Sequence, residues 1–503
     1  MAQPASIFVG GAGPDHADPQ WLLAAMANRH GLVAGATGTG KTVTLQILAE
    51  GFSTLGVPVF LADVKGDLSG LAAAGSPTHK LHEKLQARAR TIGLDDYAYR
   101  DFPVMFWDPF GERGHPIRAT VAEMGPLLLA RLLDLSEAQE GVLNICFRLA
   151  DEEGLLLLDL DDLRAMLAHV GENAGALRLR FGNISPASVG AIQRRLLVLE
   201  NQGGARFFGE PALRLSDMIA RVPDGRGRIN LLAADRLMAN PRLYATLLLW
   251  LLSELFEDLP EVGDPDRPVM VFFFDEAHLL FDSAPPALLE KVEQVARLIR
   301  SKGVGVWFVT QNPADVPDSI LAQLGNRVQH ALRAYTPRER RALRAAADSF
   351  RPNPAFDTAA VIPQLGIGEA LTSFLDRKGV PGVVQRTLIR PPASRIGPLE
   401  DAARAALIAA SPLSGVYDMP VDRDSAHEML ARRAMQAAAA DPPPERAYRQ
   451  GRVYGGAGDA PARRRGRSDS LGTTLAKTVI RTAGSQITRS VLRGILGGLF
   501  RGR

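Results

Sequence analysis

The eight residues Gly35-Ala-Thr-Gly-Thr-Gly40-Lys41-Thr42 constrain this chain more than any other feature. They fit the spacing G-x-x-x-x-G-K-[ST] and stand between a short apolar run, His30–Ala34, and a helically patterned stretch from Lys41 to about Leu55. Strand, glycine turn and helix form the context in which that spacing makes an anion cradle. Gly35, Gly38 and Gly40 let the backbone turn with its N–H groups inward, and the positive end of the helix dipole faces the same spot. A polyphosphate fits there. Lys41 would reach the β- and γ-phosphates as a point charge, and Thr42 would offer its hydroxyl to Mg²⁺. The whole loop, Gly35, Ala36, Thr37, Gly38, Thr39, Gly40, Lys41 and Thr42, is therefore the expected nucleotide site.

Other segments supply partners for it. Val269-Met-Val-Phe-Phe-Phe-Asp275-Glu276-Ala-His278 reads as a strand buried on both faces that delivers two acids at its C-terminal end, where open α/β sheets bind ligands. Asp275 would hold the metal shell and Glu276 would polarise the attacking water. An Asp-Glu pair ending a strand at solvent is the plainer alternative, and His278 reads first as a structural neighbour. Strand Val304–Thr310 ends in Gln311-Asn312-Pro313, and an amide at that tip can bond both the γ-phosphate and the water. A turn residue before proline is the other reading of Gln311. Asp63 closes the strand Val57–Asp63 and is expected to support the phosphate site. A ribose-binding acid in a dinucleotide fold is the weaker alternative, because Gly35–Thr42 is not G-x-G-x-x-G. Phosphoryl transfer of this type also uses a cation on the developing charge. Arg29, just before the first strand, and Arg300, before the sensor strand, are the first choices, with Arg327 and Arg333 behind them.

The coarse map is an α/β fold with a mainly parallel sheet. The spacing predicts strands at 229–233, 304–310 and 328–334 and an antiparallel pair, 369–375 with 383–389, near the sheet edge. Gly56 sits where the end of the first helix wants positive φ. We divide the chain into 1–120 and 218–400 as two parts of one core, 121–217 as an inserted helical lobe, 401–436 as a helical extension, 437–470 as a linker and 471–503 as a basic amphipathic helix. The lone Cys146 lies in an apolar helical run and reads as a buried hydrophobe, so no internal disulfide and no cysteine-based zinc site can form.

Charge separates the tail from the body. Residues 441–503 hold 13 Lys/Arg against four Asp/Glu, a net of +9 beside +3 for the whole chain, so the first 440 residues carry −6. Leu475, Val479, Ala483, Ile487, Val491, Ile495 and Leu499 recur every four residues with Lys477, Arg481, Arg489 and Arg493 out of phase. Such a segment docks on a partner or a membrane surface, or packs on its own body. The amino terminus has no basic, apolar export pattern, and no apolar run approaches the length of a membrane span, so a cytoplasmic protein is expected.

With these residues in view, the chain resembles the HerA/FtsK group of P-loop ATPases, ring motors that move DNA or, in secretion relatives, protein. The likeness rests on the run from Arg29 to Thr42, on Ala62-Asp63-Val-Lys-Gly66-Asp67, on Phe272–His278 and on Val309-Thr-Gln311-Asn-Pro313-Ala-Asp-Val-Pro317. It is nearest to HerA-like proteins that are little more than the ATPase domain. The resemblance implies a RecA-like fold, ATP and Mg²⁺ at subunit interfaces of a homo-hexamer, DNA as the moved substrate, and arginines at Arg29 and Arg300 that reach the nucleotide across and within subunits. About thirty residues precede the phosphate loop, so the N-terminal β-barrel of HerA helicases and its nuclease partnership are not expected. The competing function is a nucleotide-gated scaffold that recruits a protein or membrane partner through the basic tail. A small-molecule kinase fits less well, since Glu276 directly after Asp275 favours activating water.

Overall fold

The computed structural model describes residues 4–281 and 286–440. Its strands in chain order are β1 (Ser6–Ala12), β2 (Asp18–Leu23), β3 (Gly31–Ala34), β4 (Val59–Asp63), β5 (Val104–Trp107), β6 (Ile229–Ala233), β7 (Met270–Phe274), β8 (Val304–Thr310), β9 (Asn326–Gln329), β10 (Glu369–Ser373) and β11 (Gln385–Ile389). They form one sheet in the order β2-β1-β11-β10-β9-β3-β8-β7-β4-β6-β5. From β9 to β5 every neighbouring pair is parallel, and from β9 to β2 every pair is antiparallel.

The parallel half follows from composition. All five residues of β7 are buried, because a parallel strand under helices has no solvent face. Phe272 and Phe274 point to one side, against Phe60 and Phe308, while Phe273 points to the other, beside Phe52 and Trp307. Each such ring withdrawn from water stabilises the fold by about 2–3 kcal/mol. Helix α1 (Lys41–Thr54) buries Leu45, Ile47, Leu48 and Phe52 in this second layer. Beyond its end Gly56 has φ +75°, and its N–H bonds the Ser53 carbonyl at 2.9 Å, releasing the chain into β4.

β9 covers Asn326–Gln329 where a strand over 328–334 was expected, and three further strands depart from the sequence reading. β1 and β2 extend the sheet beyond β11, so the β10–β11 pair is internal rather than near the edge. Gly10, Gly11 and Pro19 interrupt their patterns, and Pro19 is tolerated because β2 is an edge strand. β5 is four residues long, behind Pro103, and its pairing with β6 rather than any alternation makes it a strand.

The described residues form two compact units, 4–119 with 201–421 and 120–200 with 422–440. The first contains the sheet. Its chain is stitched where it leaves and returns: the Ala119 N–H bonds the Phe207 carbonyl at 3.0 Å, and the Leu213 N–H bonds the Arg118 carbonyl at 2.9 Å. Residues 201–217 therefore belong to the core and not, as the sequence division had it, to the helical lobe. The second unit is all helical. Capping boxes at Thr120/Glu123, Ser136/Gln139 and Asp159/Asp162 start its first three helices, each satisfying N–H groups that the helix itself cannot. Buried Asp162 also accepts from Ser425 Oγ at 2.6 Å and from the His427 N–H at 2.8 Å, anchoring helix Ala426–Ala440. Cys146 is fully buried here, and burial pushes its thiol up to about 12, too high for a reactive thiolate.

Helix Asp401–Ala409 belongs to the first unit and Ala426–Ala440 to the second, so the expected extension over 401–436 is two separate elements. The second helix also runs through 437–440, where the linker was expected to begin. The rest of that linker and the basic segment 471–503 lie outside the described residues. Among the described residues no helix is long and apolar enough to cross a membrane.

Candidate nucleotide site

Four adjacent parallel strands, β3, β8, β7 and β4, end on one edge of the sheet, and each hands over part of the site there. β3 runs into the glycine loop. Gly35 N–H bonds the Thr310 carbonyl at 3.3 Å and Ala36 N–H bonds the Ala331 carbonyl at 2.8 Å, fixing the loop to β8 and to the segment after β9. Gly35, Gly38 and Gly40 all take positive φ. Gly38 stands clear, with no atom within 4 Å of where a Cβ would sit, whereas Gly35 and Gly40 press on His330 and Gly368. Thr39 closes the loop by donating to the Ala36 carbonyl at 2.7 Å. No side chain caps the first turn of α1, so its N–H groups remain directed at the loop. Lys41 donates to the carbonyls of Gly35 and Ala36 at 2.5 and 3.2 Å, folding over its own loop. Burial lowers its pKa, while Glu276 and Asp275 act the other way.

The acids of β7 arrive beside this lysine. Burial, and then the charge of Glu276, raise the Asp275 carboxyl to about 6 against the opposing Glu276 N–H, Lys65 and Lys41. Its Oδ1 accepts that N–H at 2.9 Å, and its backbone carbonyl accepts from the hydroxyl of Tyr244, a fully buried residue of helix Pro241–Asp258. Glu276 has φ +50°, a left-handed conformation that a glutamate adopts at a cost of about 1 kcal/mol or more. That twist places its carboxylate against β8: Gln311 Nε2 donates to both Glu276 oxygens at 3.2 Å. Gln311 Oε1 in turn accepts from Thr37 Oγ1 of the glycine loop at 3.3 Å. A continuous polar chain thus joins the cradle to the acid. His278 Nδ1 lies 3.5 Å from Glu276 Oε2 and Lys65 Nζ lies 3.5 Å from Oε1.

Asp63, from the neighbouring β4, is 3% exposed and accepts the Leu68 N–H at 3.2 Å. Burial raises it to about 6, with Asp275 adding to the rise and the Gly66 N–H, Arg404 and the Leu68 N–H opposing. Its bonds shape the turn after β4.

The arginines are not brought to this cleft. Arg29 precedes β3 and Arg300 precedes β8, so both lie at the opposite edge, a four-residue strand of about 13 Å away in the first case and a seven-residue strand of about 23 Å in the second. There they share Asp264, Arg300 at 3.0 Å and Arg29 at 3.7 Å, and the Arg300 hydrogen bond holds that carboxyl below its ordinary range. Within one chain Arg29 is thus separated from the glycine loop, and Arg300 from Gln311, by the length of its own strand. Arg327 bonds the carbonyls of Leu321, Leu324 and Ser349, a packing role. Arg333 is exposed beyond β9.

His330 was not anticipated. It is fully buried between the loop and β10, with Nε2 2.8 Å from Thr44 Oγ1 and Nδ1 2.9 Å from the Glu369 carbonyl. Burial lowers its pKa to about 4, so the ring is neutral, with Nδ1 donating to the carbonyl.

A glycine loop between a central parallel strand and a helix, with paired acids and an amide on the next two strands, defines a RecA-like P-loop NTPase core. A family model described as "Helicase HerA-like C-terminal" matches residues 12–503, and the chain belongs to that family. No curated protein matches the chain. Among solved structures, VirB4 of Thermoanaerobacter pseudethanolicus is similar at 16% identity and a TM-score of 0.50, over 77% of this chain and 97% of that one. The unbound bacterial conjugative coupling protein TrwBΔN70 gives 17% identity and 0.48 over 79% and 92%. TrwB in complex with ADP and Mg²⁺ gives 17% and 0.44 over 73% and 88%. At these identities the VirB4 likeness speaks for the fold alone.

Proposed function

We propose that this HerA-like protein hydrolyses ATP and uses the cycle to move DNA as a ring oligomer. The observation that carries the hydrolytic part is the convergence of Lys41, Asp275, Glu276 and Gln311 from three strands on one cleft, with Gln311 bridging the glycine loop and the acid.

The residues present suit Mg²⁺ and a triphosphate. Gly38 leaves open space over an amide-lined loop, and Thr42 with Asp275 offers hard oxygen donors. Among the described residues no group of three or more His, Cys, Asp or Glu could hold a metal ion. When bound, Mg²⁺ supplies charge neutralisation on the β- and γ-oxygens. Lys41 would exchange the carbonyls of Gly35 and Ala36 for phosphate oxygens. Glu276 would hold the attacking water and take its proton. Gln311, tied to Thr37, would couple the position of Glu276 to whether the cradle is filled.

Arg29 and Arg300, set at the far edge, would serve the nucleotide of a neighbouring subunit. The basic balance of residues 441–503 supports contact with an anionic surface, either the DNA or that of a recruited partner. The test is the ATPase rate with single- and double-stranded DNA at low and moderate salt, on the full chain and on a chain ending at 440. Stimulation by DNA is expected. A rate unmoved by either DNA removes the motor reading. Tail-dependent binding to liposomes or protein, with hydrolysis intact, would favour the nucleotide-gated scaffold.

A further inference from the structure

Splitting the γ-phosphoryl group builds negative charge that a cation must meet. Arg29 and Arg300 lie at the wrong edge of the sheet to meet it within one chain, and Lys41 is the cation of the ground-state phosphates. A second lysine stands at the cleft. Asp63 ends β4 beside β7 and caps the following turn through the Leu68 N–H, while Gly66 takes φ +77°. Lys65 rides on that turn, and its Nζ lies 3.5 Å from Glu276 Oε1. Its charge also reaches Asp275 and Lys41, the groups that bracket the cradle. The Lys65 side chain is 48% exposed and Glu276 only 8%, so an ammonium open to solvent rests on a buried carboxylate. At 3.5 Å this is a loose ion pair, and a triphosphate entering beside it carries more negative charge than one carboxylate.

We propose that Lys65 is a catalytic residue: with triphosphate in the cradle its ammonium leaves Glu276 for the γ-phosphate, meeting the developing charge and freeing Glu276 to act on water. The water oxygen bonds to the γ-phosphorus and its proton passes to Glu276. The bond from that phosphorus to the bridging oxygen breaks, and ADP departs with the electron pair. Lys65 keeps its protons throughout. The resting pair accordingly restrains the base until substrate arrives. The inference rests on the cleft being the hydrolytic site.

The experiment measures Kd for Mg-ADP and for a Mg-bound non-hydrolysable ATP analogue, with kcat and KM for ATP, on the full chain and on Lys65→Ala and Lys65→Arg. In Lys65→Ala the analogue should weaken about tenfold, the scale of one charge-assisted hydrogen bond, while ADP stays within about twofold and kcat falls about tenfold or more. Lys65→Arg should restore the preference for the analogue over ADP. Equal losses for both nucleotides, unchanged binding and turnover, or a rise in kcat would each overturn the assignment. Wild-type protein that binds neither nucleotide would overturn it too, and would be recognised as failure of the cleft itself.

Discussion

Alanine at Gly38 and alanine at Gly35 should separate ligand binding from folding within one loop. At Gly38 a Cβ meets nothing within 4 Å, so the cost to the unliganded fold is that of placing alanine at φ +79°, about 1–2 kcal/mol. At Gly35 the Cβ would stand 2.5 Å from His330 Cβ and 3.1 Å from Thr39 Oγ1, at φ +152°. His330 cannot yield, because the clash is at its root and both ring nitrogens are engaged. Overpacking of about 1–3 kcal/mol then adds to backbone strain of similar size, roughly 2–6 kcal/mol in all. Typical domains have about 5–15 kcal/mol of stability. The assay is thermal unfolding of each variant with and without Mg-nucleotide. Wild type at a hundredfold excess over Kd should gain about 2.7 kcal/mol. Gly38→Ala should melt near wild type yet lose the nucleotide-induced shift, because its methyl fills the space over the amides. Gly35→Ala should melt well below both. A Gly38→Ala protein that keeps the full shift would show that phosphate does not rest there. One that melts as low as Gly35→Ala would refute the packing argument.

Lys41→Ala should raise the Kd for Mg-nucleotide about tenfold or more in a fluorescent-nucleotide titration, since a charge-assisted contact to phosphate is lost; unchanged affinity would remove Lys41 from the site. Glu276→Gln should bind nucleotide as wild type does and turn over roughly 10²-fold more slowly, and full activity would assign the base elsewhere. His330 should stay neutral down to about pH 4. Its folded pKa lies below the unfolded value of about 6.5, so its contribution to stability is complete above pH 6.5 and is withdrawn as pH falls to about 4. A ring-proton NMR titration with a midpoint near 6.5 would contradict its burial.

The parallel half of the sheet was legible because its strands are buried on both faces and so read as unbroken apolar runs: 304–310 agrees residue for residue, and 268–274 and 57–63 shorten by two at their starts. The antiparallel extension was not. Ser6–Ala12 carries two consecutive glycines and Asp18–Leu23 carries a proline, so each fails a local test for a strand and becomes one only through pairing with β11 and with each other. The same holds for the end of the helical lobe, where residues 201–217 hold only the short turns Gly204–Arg206 and Leu215–Met218 and are claimed by the core through contacts with Arg118 and Ala119.

In the cleft, what could be read was chemistry carried by consecutive residues: the loop 35–42, the pair Asp275-Glu276, and Gln311 at a strand tip. His330 and Tyr244 act through contacts distant in sequence, with Thr44 and Glu369 in one case and Asp275 in the other, and no local pattern marks them. The choice of cation turns on a different point. Parallel strands have a direction, and their C-terminal ends gather on one edge, so a residue before a strand and a residue after it are separated by the strand's length. Arg29 and Arg300 precede their strands, whereas Lys65 follows its own by two residues, on the same side as Lys41, Asp275 and Gln311. Ranking the basic residues by which end of a parallel strand they adjoin places Lys65 ahead of both arginines for a role within one chain. Those arginines adjoin the other edge, and in the proposed ring they would serve a neighbouring subunit's nucleotide.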